Sequence, residues 1–158
     1  MKIVFDLDGV LRNTIVFVEK TLKLDPIDCW NFKYNDKDII KLIEKLKYKP
    51  LTLSKPTKYL KIVKKYVKKP EIWSAQLKHW MPYTTKWLNK HLKSYSLKIM
   101  TVEEKFENLK KVDWLVEDFP YFESYKKILL IDTPYNKKVK TKNRIKTPNQ
   151  LEKYLKEI

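Results

Sequence analysis

Five short apolar runs, set apart by stretches with helical spacing, constrain the fold of this chain more than any other feature. Residues 2–6 (Lys-Ile-Val-Phe-Asp), Ile72 to Ser74, Leu97 to Met100, Val112 to Glu117 and Ile128 to Asp132 are too short for helices and read as buried strands. Between them Ile39, Leu42, Ile43 and Leu46 form an amphipathic stripe after Asn35 or Asp36, either of which suits the first-turn cap. Tyr59, Leu60, Val63, Tyr66 and Val67 form a second stripe, opened by Ser54 and Pro56 and stopped by Pro70. Trp87, Leu88, His91 and Leu92 form a third, beginning near Pro82. Thr147-Pro148-Asn149-Gln150 reads as a capping box with proline at the first helical position, and it leads Leu151, Tyr154, Leu155 and Ile158 onto the sheet. Strands alternating with helices predict an α/β fold, a five-stranded parallel sheet covered on both faces. The 158 residues suffice for one domain, with a core over about 1–13 and 54–158 and a small helical cap over about 14–53 inserted after the first strand.

The composition excludes several classes. Hydrophobic residues make up 43% of the chain, enough to build a core, and no apolar run approaches the roughly 20 residues that span a bilayer. Cys29 is the only cysteine, so no intrachain disulfide forms. These features predict a cytoplasmic protein without membrane contact, and leave oligomer formation open. The formal net charge of +16 suggests nucleic acid, but only Arg12 and Arg144 are arginine, and the lysines are dispersed along the whole chain. An AT-rich genome yields that pattern by codon bias, so a small anionic substrate is favoured over nucleic acid as partner. The Lys-rich segment 137–146 reads as an exposed loop.

Chemistry concentrates at Asp6-Leu7-Asp8-Gly9-Val10-Leu11. Two carboxylates two residues apart at the end of a strand point to the same side. Two ionised groups held together there are costly unless a cation or a shared proton compensates. Gly9 is the only glycine in the chain, which places a demand for permissive backbone geometry immediately beside the acidic pair.

Residues Ile3 to Leu11 resemble the first motif of haloacid dehalogenase superfamily phosphatases. The resemblance implies that Asp6 attacks phosphorus, that Asp8 serves as general acid/base, and that the Asp8 backbone carbonyl helps Asp6 and Asp118 hold Mg²⁺. Three further motifs follow in order. Ile72-Trp73-Ser74-Ala75 is similar to the second, with Ser74 and Ala75 binding phosphate; Lys105 is placed as the lysine of the third, with Lys110 as competitor. Val112-Asp113-Trp114-Leu115-Val116-Glu117-Asp118 resembles the fourth, with Asp118 as metal ligand and Glu117 supporting it. The fold implied is a Rossmann-like core with its site at the carboxyl ends of parallel strands.

Within the superfamily the chain resembles the 5'(3')-deoxyribonucleotidases and other small 5'-nucleotidases, through Thr133-Pro134-Tyr135-Asn136 and Asp28-Cys29-Trp30-Asn31-Phe32. It departs from them in its short cap, in Glu117 for the more usual Asp, and in Thr14 where relatives carry an aromatic residue. Trp30 and Phe32 are candidates to stack on a nucleobase, with cap-to-core packing as the alternative. His79 and His91 lack partners at ligand spacing and read as surface or helix-edge residues. The expected activity is hydrolysis of a nucleoside 5'-monophosphate, with deoxyribonucleotides as the preferred substrates. A polynucleotide 3'-phosphatase and an inactive nucleic-acid-binding module are the alternatives.

Overall fold

The computed structural model of the protein describes residues 1–122 and 124–157. Its strands are β1 (Ile3–Phe5), β2 (Glu71–Ser74), β3 (Ser96–Ile99), β4 (Trp114–Glu117), β5 (Ile128–Ile131) and β6 (Arg144–Ile145). They form one parallel sheet in the order β3-β2-β1-β4-β5-β6. The helices are α1 (Thr14–Leu22), α2 (Ile39–Lys45), α3 (Lys49–Leu53), α4 (Lys58–Tyr66), α5 (Met81–His91), α6 (Val102–Asn108) and α7 (Pro148–Leu155). The architecture is α/β and Rossmann-like. Among the described residues no helix is long and apolar enough to cross a membrane.

The sheet is apolar on both faces because its strands alternate between two cores. Ile3, Phe5, Ile72, Val116, Leu129 and Ile131 pack with α4, α5 and α7. Val4, Trp73, Leu115, Ile128 and Leu130 face the opposite way, toward Leu109, Val112 and Phe122. The chain runs outward from β1 through β2 to β3 on one side, and from β4 through β5 to β6 on the other. That reversal opens a crevice at the carboxyl ends of β1 and β4, where α/β sheets bind ligands.

The expectation of five strands is corrected to six among the described residues. The additional strand, β6, lies inside the Lys-rich segment read as an exposed loop. Ile145 is buried there, and ladder bonds join Leu130 N to Asn143 O and Asp132 N to Ile145 O, each at 2.9 Å. A two-residue edge strand has no periodicity to detect, and Arg144 anchors it from the side by bonding Asp132 Oδ1 and Asn136 Oδ1 at 2.8 Å. Two caps are also corrected. Asp38, not Asn35 or Asp36, caps α2 by accepting from Lys41 N at 2.9 Å. Asn35 and Asp36 instead take positive φ, 49° and 58°, in a two-residue turn between Tyr34 and Lys37, the geometry that favours Asn and Asp. Thr57 caps α4, its Oγ1 accepting from Tyr59 N at 3.2 Å.

The C-terminal cap is as expected: Gln150 Oε1 accepts from Thr147 N at 3.1 Å and from Lys146 N at 2.7 Å. Leu151 and Leu155 are buried on the sheet, while Ile158, expected to continue the stripe, lies outside the described residues. Residues 14–53 fold as three helices joined by a loop. Ile43 and Leu51 pack against Trp80 at the entry to α5, and Tyr48 stacks on Tyr83 at 4.4 Å.

Candidate active site

Asp6 follows β1 directly, and its N–H still donates to Val116 O at 2.8 Å, so the residue stays registered against β4 as the strand ends. Ser74 and Glu117 close β2 and β4, and Asp118 follows one residue later. Lys105 is carried by α6, which starts at a capping box in which Thr101 and Glu104 satisfy each other's backbone N–H groups. These four elements come from separate parts of the chain. They meet in a cleft of about 70 Å³ lined by Asp6, Asp8, Trp30, Ser74, Ala75, Lys105, Glu117, Asp118 and Phe119, with Val102 at the edge.

Lys105, not Lys110, is the lysine brought to the cleft. Its ammonium is buried, donates to Asp6 Oδ1, and donates to Glu117 Oε2 at 2.8 Å, whereas Lys110 is exposed. Burial works against the charge on Lys105, but Asp6 and Glu117 outweigh it and hold the ammonium above its ordinary range. Glu117 Oε1 is saturated, because it accepts from Asp118 N at 3.0 Å and Phe119 N at 3.3 Å. Asp118 Oδ2 accepts from the Tyr135 hydroxyl, while Asn136 Nδ2 donates to the Asp118 carbonyl at 2.9 Å.

Carboxylate oxygens of Asp6, Glu117 and Asp118 lie within 4.8 Å of one another. Three buried carboxylates facing one ammonium leave two negative charges in excess when all are ionised, a deficit that one divalent cation balances. The electrostatics agree. Burial, followed by repulsion from Glu117, raises Asp6 to about 8 from 3.8 despite Lys105, and burial with Glu117 and Asp6 raises Asp118 as well. Among the described residues Asp6 Oδ2 and Asp118 Oδ1 accept no hydrogen bond, so these two oxygens are open to a cation, whereas both oxygens of Glu117 already accept from N–H donors.

This charge excess has a measurable consequence. Asp6 in the folded chain titrates above its unfolded value, so between the two the native state binds a proton that the unfolded chain has lost. Its contribution to stability is present below the unfolded value and is lost as pH rises through about 8. In chelator, melting temperature should therefore fall more steeply with rising pH in the native protein than in Asp6→Asn between about pH 4 and pH 8, the interval from the unfolded to the folded value. Parallel pH profiles of the two proteins in thermal melts would refute the raised value.

Asp8 occupies the rim, its side chain 34% exposed. Arg12, wholly buried, grips it in a fork: Nε to Oδ1 at 2.8 Å and Nη2 to Oδ2 at 2.9 Å, with Thr14 also donating to Oδ1. The remaining Arg12 nitrogen, Nη1, donates to Leu51 O at 2.7 Å and Thr84 Oγ1 at 3.3 Å. Oδ1 is thus saturated, and Oδ2 retains one lone pair.

Gly9 sits under Asp118. Its φ is +85°, and a Cβ there would collide with Asp118 Oδ2, with Cγ at 2.6 Å and Tyr135 Oη at 3.0 Å. Trp30 roofs the cleft edge-on to Phe119 at 5.0 Å and Tyr135 at 5.4 Å. Phe32 is half-buried and does not line the cleft. His79 is exposed near Glu44, and His91 packs on Trp87, both away from the cleft.

Arg12, Thr14, Thr84 and Tyr135 were not assigned these roles from sequence. For Arg12 a signal existed: an arginine four residues after a motif carboxylate, in a chain with only two. Comparison of the chain with protein-family models, curated proteins and solved structures finds no match.

Proposed function

We propose that this protein is a Mg²⁺-dependent phosphomonoesterase of the haloacid dehalogenase type, hydrolysing nucleoside 5'-monophosphates through an aspartyl phosphate. The observation that carries the reading is the meeting of Asp6, Ser74, Lys105 and Asp118, each from a different element, in one buried cleft at the switch point of the sheet. A structural ion-pair cluster would not need two open carboxylate oxygens beside a serine and an exposed acid.

Asp6 and Asp118 would hold Mg²⁺ by their open oxygens, with the Asp8 carbonyl as a further ligand. Bound there, the ion neutralises the excess charge and polarises a phosphoryl oxygen. Once the excess charge is neutralised, Lys105 would favour the ionised form of Asp6 and orient it for attack on phosphorus, and Ser74 with the Ala75 backbone would receive the transferring oxygens. Asp8 Oδ2, the oxygen with a free lone pair, moves the proton: first to the leaving oxygen, then from the water that cleaves the aspartyl phosphate. Arg12 and Thr14 hold that carboxylate in place from behind. Trp30 is positioned to cover a substrate entering past Phe119.

The test is phosphate release from deoxynucleoside and ribonucleoside monophosphates and from 3'-phosphorylated oligonucleotides. Mononucleotide turnover with Mg²⁺ that vanishes in EDTA is the expected result, and full activity in chelator would overturn it. The net charge of +16 favours one second reading, a polynucleotide 3'-phosphatase. That reading wins if the oligonucleotide is the fastest substrate and binding falls by roughly 0.9 log units per phosphate contacted for each tenfold rise in salt.

A further inference from the structure

Arg144 stands on the edge strand β6 and does not line the catalytic cleft, yet its side chain is only 13% exposed. It is one of two arginines in the chain, and the other, Arg12, grips Asp8. Arg144 grips the stretch that follows β5. Its Nη1 donates to Asp132 Oδ1 and Asn136 Oδ1, each at 2.8 Å, and its Nη2 donates to the carbonyls of Asn136 at 3.0 Å and Val139 at 2.5 Å. A planar fork reaches four acceptors on three residues in this way, which the compact ammonium of a lysine does not.

Those bonds fix which way the buried Asn136 amide faces. Arginine can only donate, so the amide atom toward Arg144 is Oδ1, which also accepts from Thr133 N at 3.1 Å. Nδ2 is thereby turned the other way, where it donates to the Ile131 carbonyl at 2.8 Å and the Asp118 carbonyl at 2.9 Å. Every bonding position of the amide is filled.

The neighbour of Asn136 in the same turn, Tyr135, donates its hydroxyl to Asp118 Oδ2. Asp118 is therefore held at two points from one turn, its backbone by Asn136 and its carboxylate by Tyr135, and Oδ1 is the oxygen these bonds leave open. Such a hold has a physical reason. Carboxylate oxygens of Asp6, Glu117 and Asp118 lie within 4.8 Å of one another, so the ionised groups repel, and an unrestrained Asp118 would turn away from the other two before a cation arrives.

We infer that Arg144 is a positioning residue for the metal ligand: acting through Asn136 and Tyr135, it holds Asp118 in the conformation that receives the divalent cation. Resting on the metal-dependent reading of the cleft, this gives β6 a task beyond closing the sheet.

The experiment is calorimetric titration of the full chain with Mg²⁺, together with the rise in melting temperature that Mg²⁺ produces, and neither involves turnover. Tyr135→Phe removes a single oxygen, Arg144→Lys keeps the charge without the fork, and Arg144→Gln removes the charge as well. Each should weaken Mg²⁺ binding by about 10- to 100-fold at unchanged stoichiometry, as the loss of outer partners of a metal ligand does, and should shrink the Mg²⁺-induced rise. The sign of the Arg144→Gln effect is diagnostic. Removing a nearby positive charge by itself strengthens cation binding, so a lost clamp is needed to weaken it. An arginine with a purely structural role would lower the melting temperature in chelator and the number of binding-competent molecules, but leave their affinity native. The double variant Tyr135→Phe/Arg144→Lys should lose less than the two losses multiplied, since both act on one carboxylate. Multiplied losses, or native or tighter affinity in either Arg144 variant, overturn the inference. Native affinity in Tyr135→Phe overturns it even where the Arg144 variants do not fold. A native protein that takes up no Mg²⁺ overturns the metal-dependent reading and this role with it, whereas Mg²⁺ binding that the variants leave unchanged overturns this role alone.

Discussion

Asp6→Asn is expected to cut phosphate release by on the order of 10⁴- to 10⁶-fold, the scale seen when a covalent nucleophile is removed. The amide is nearly isosteric with the carboxylate but does not attack phosphorus. The fold should survive, and the direction of the stability change is itself informative. Asp6 is buried among Glu117 and Asp118, and burial is the chief cause of its raised value, so a neutral side chain relieves repulsion. In chelator near pH 8 the variant should melt at or above the temperature of the native protein, while Mg²⁺ should raise its melting temperature less. Single-turnover release and thermal melts with and without Mg²⁺ decide this. Activity near the native level removes Asp6 from the mechanism, whereas loss of activity with a collapsed melting temperature makes it a structural residue.

Gly9→Ala is the second large effect, and it acts through backbone rather than charge. At φ +85° an alanine is strained, and its Cβ would have to occupy space held by the Asp118 carboxylate. Strain of this kind costs about 1–3 kcal/mol. Relief of the collision must push away the Asp118 carboxylate, the proposed metal ligand, or the Tyr135 hydroxyl bonded to it. We expect a drop of several degrees in melting temperature, and divalent-cation affinity lowered by at least about 10-fold, as when outer partners of a metal ligand are lost. Isothermal titration with Mg²⁺ reads the second effect. Native affinity in the variant would mean that Asp118 is not a ligand of the ion.

Much of the site was legible because its motifs are local. Asp6, Asp8 and Gly9 adjoin in sequence, and the period of two on an extended chain is enough to put the carboxylates on one side. Glu117 and Asp118 end an apolar run in the same way. Phe32 was grouped with Trp30 by proximity in sequence, but only Trp30 lines the cleft, since the loop between α1 and α2 has no period to tell which of its aromatics turns inward. Arg12 shows the opposite failure. An isolated arginine reads as surface charge, yet it is wholly buried because Asp8, Leu51 O and Thr84, from three parts of the chain, together satisfy its guanidinium.

The amino-acid sequence alone determined the alternation of strands and helices, the parallel sheet, the C-terminal cap and the acidic loop after β1, since each depends on spacing and turn chemistry among near neighbours. Tertiary structure decided the rest. It selected Lys105 over Lys110 by bringing it to Asp6 across 99 residues, added β6 through ladder bonds to β5, and fixed Asp8 by burying Arg12 against Leu51 O and Thr84. Those choices turn on which donor finds which acceptor once the sheet order is set, and the separations involved leave no periodic trace along the chain.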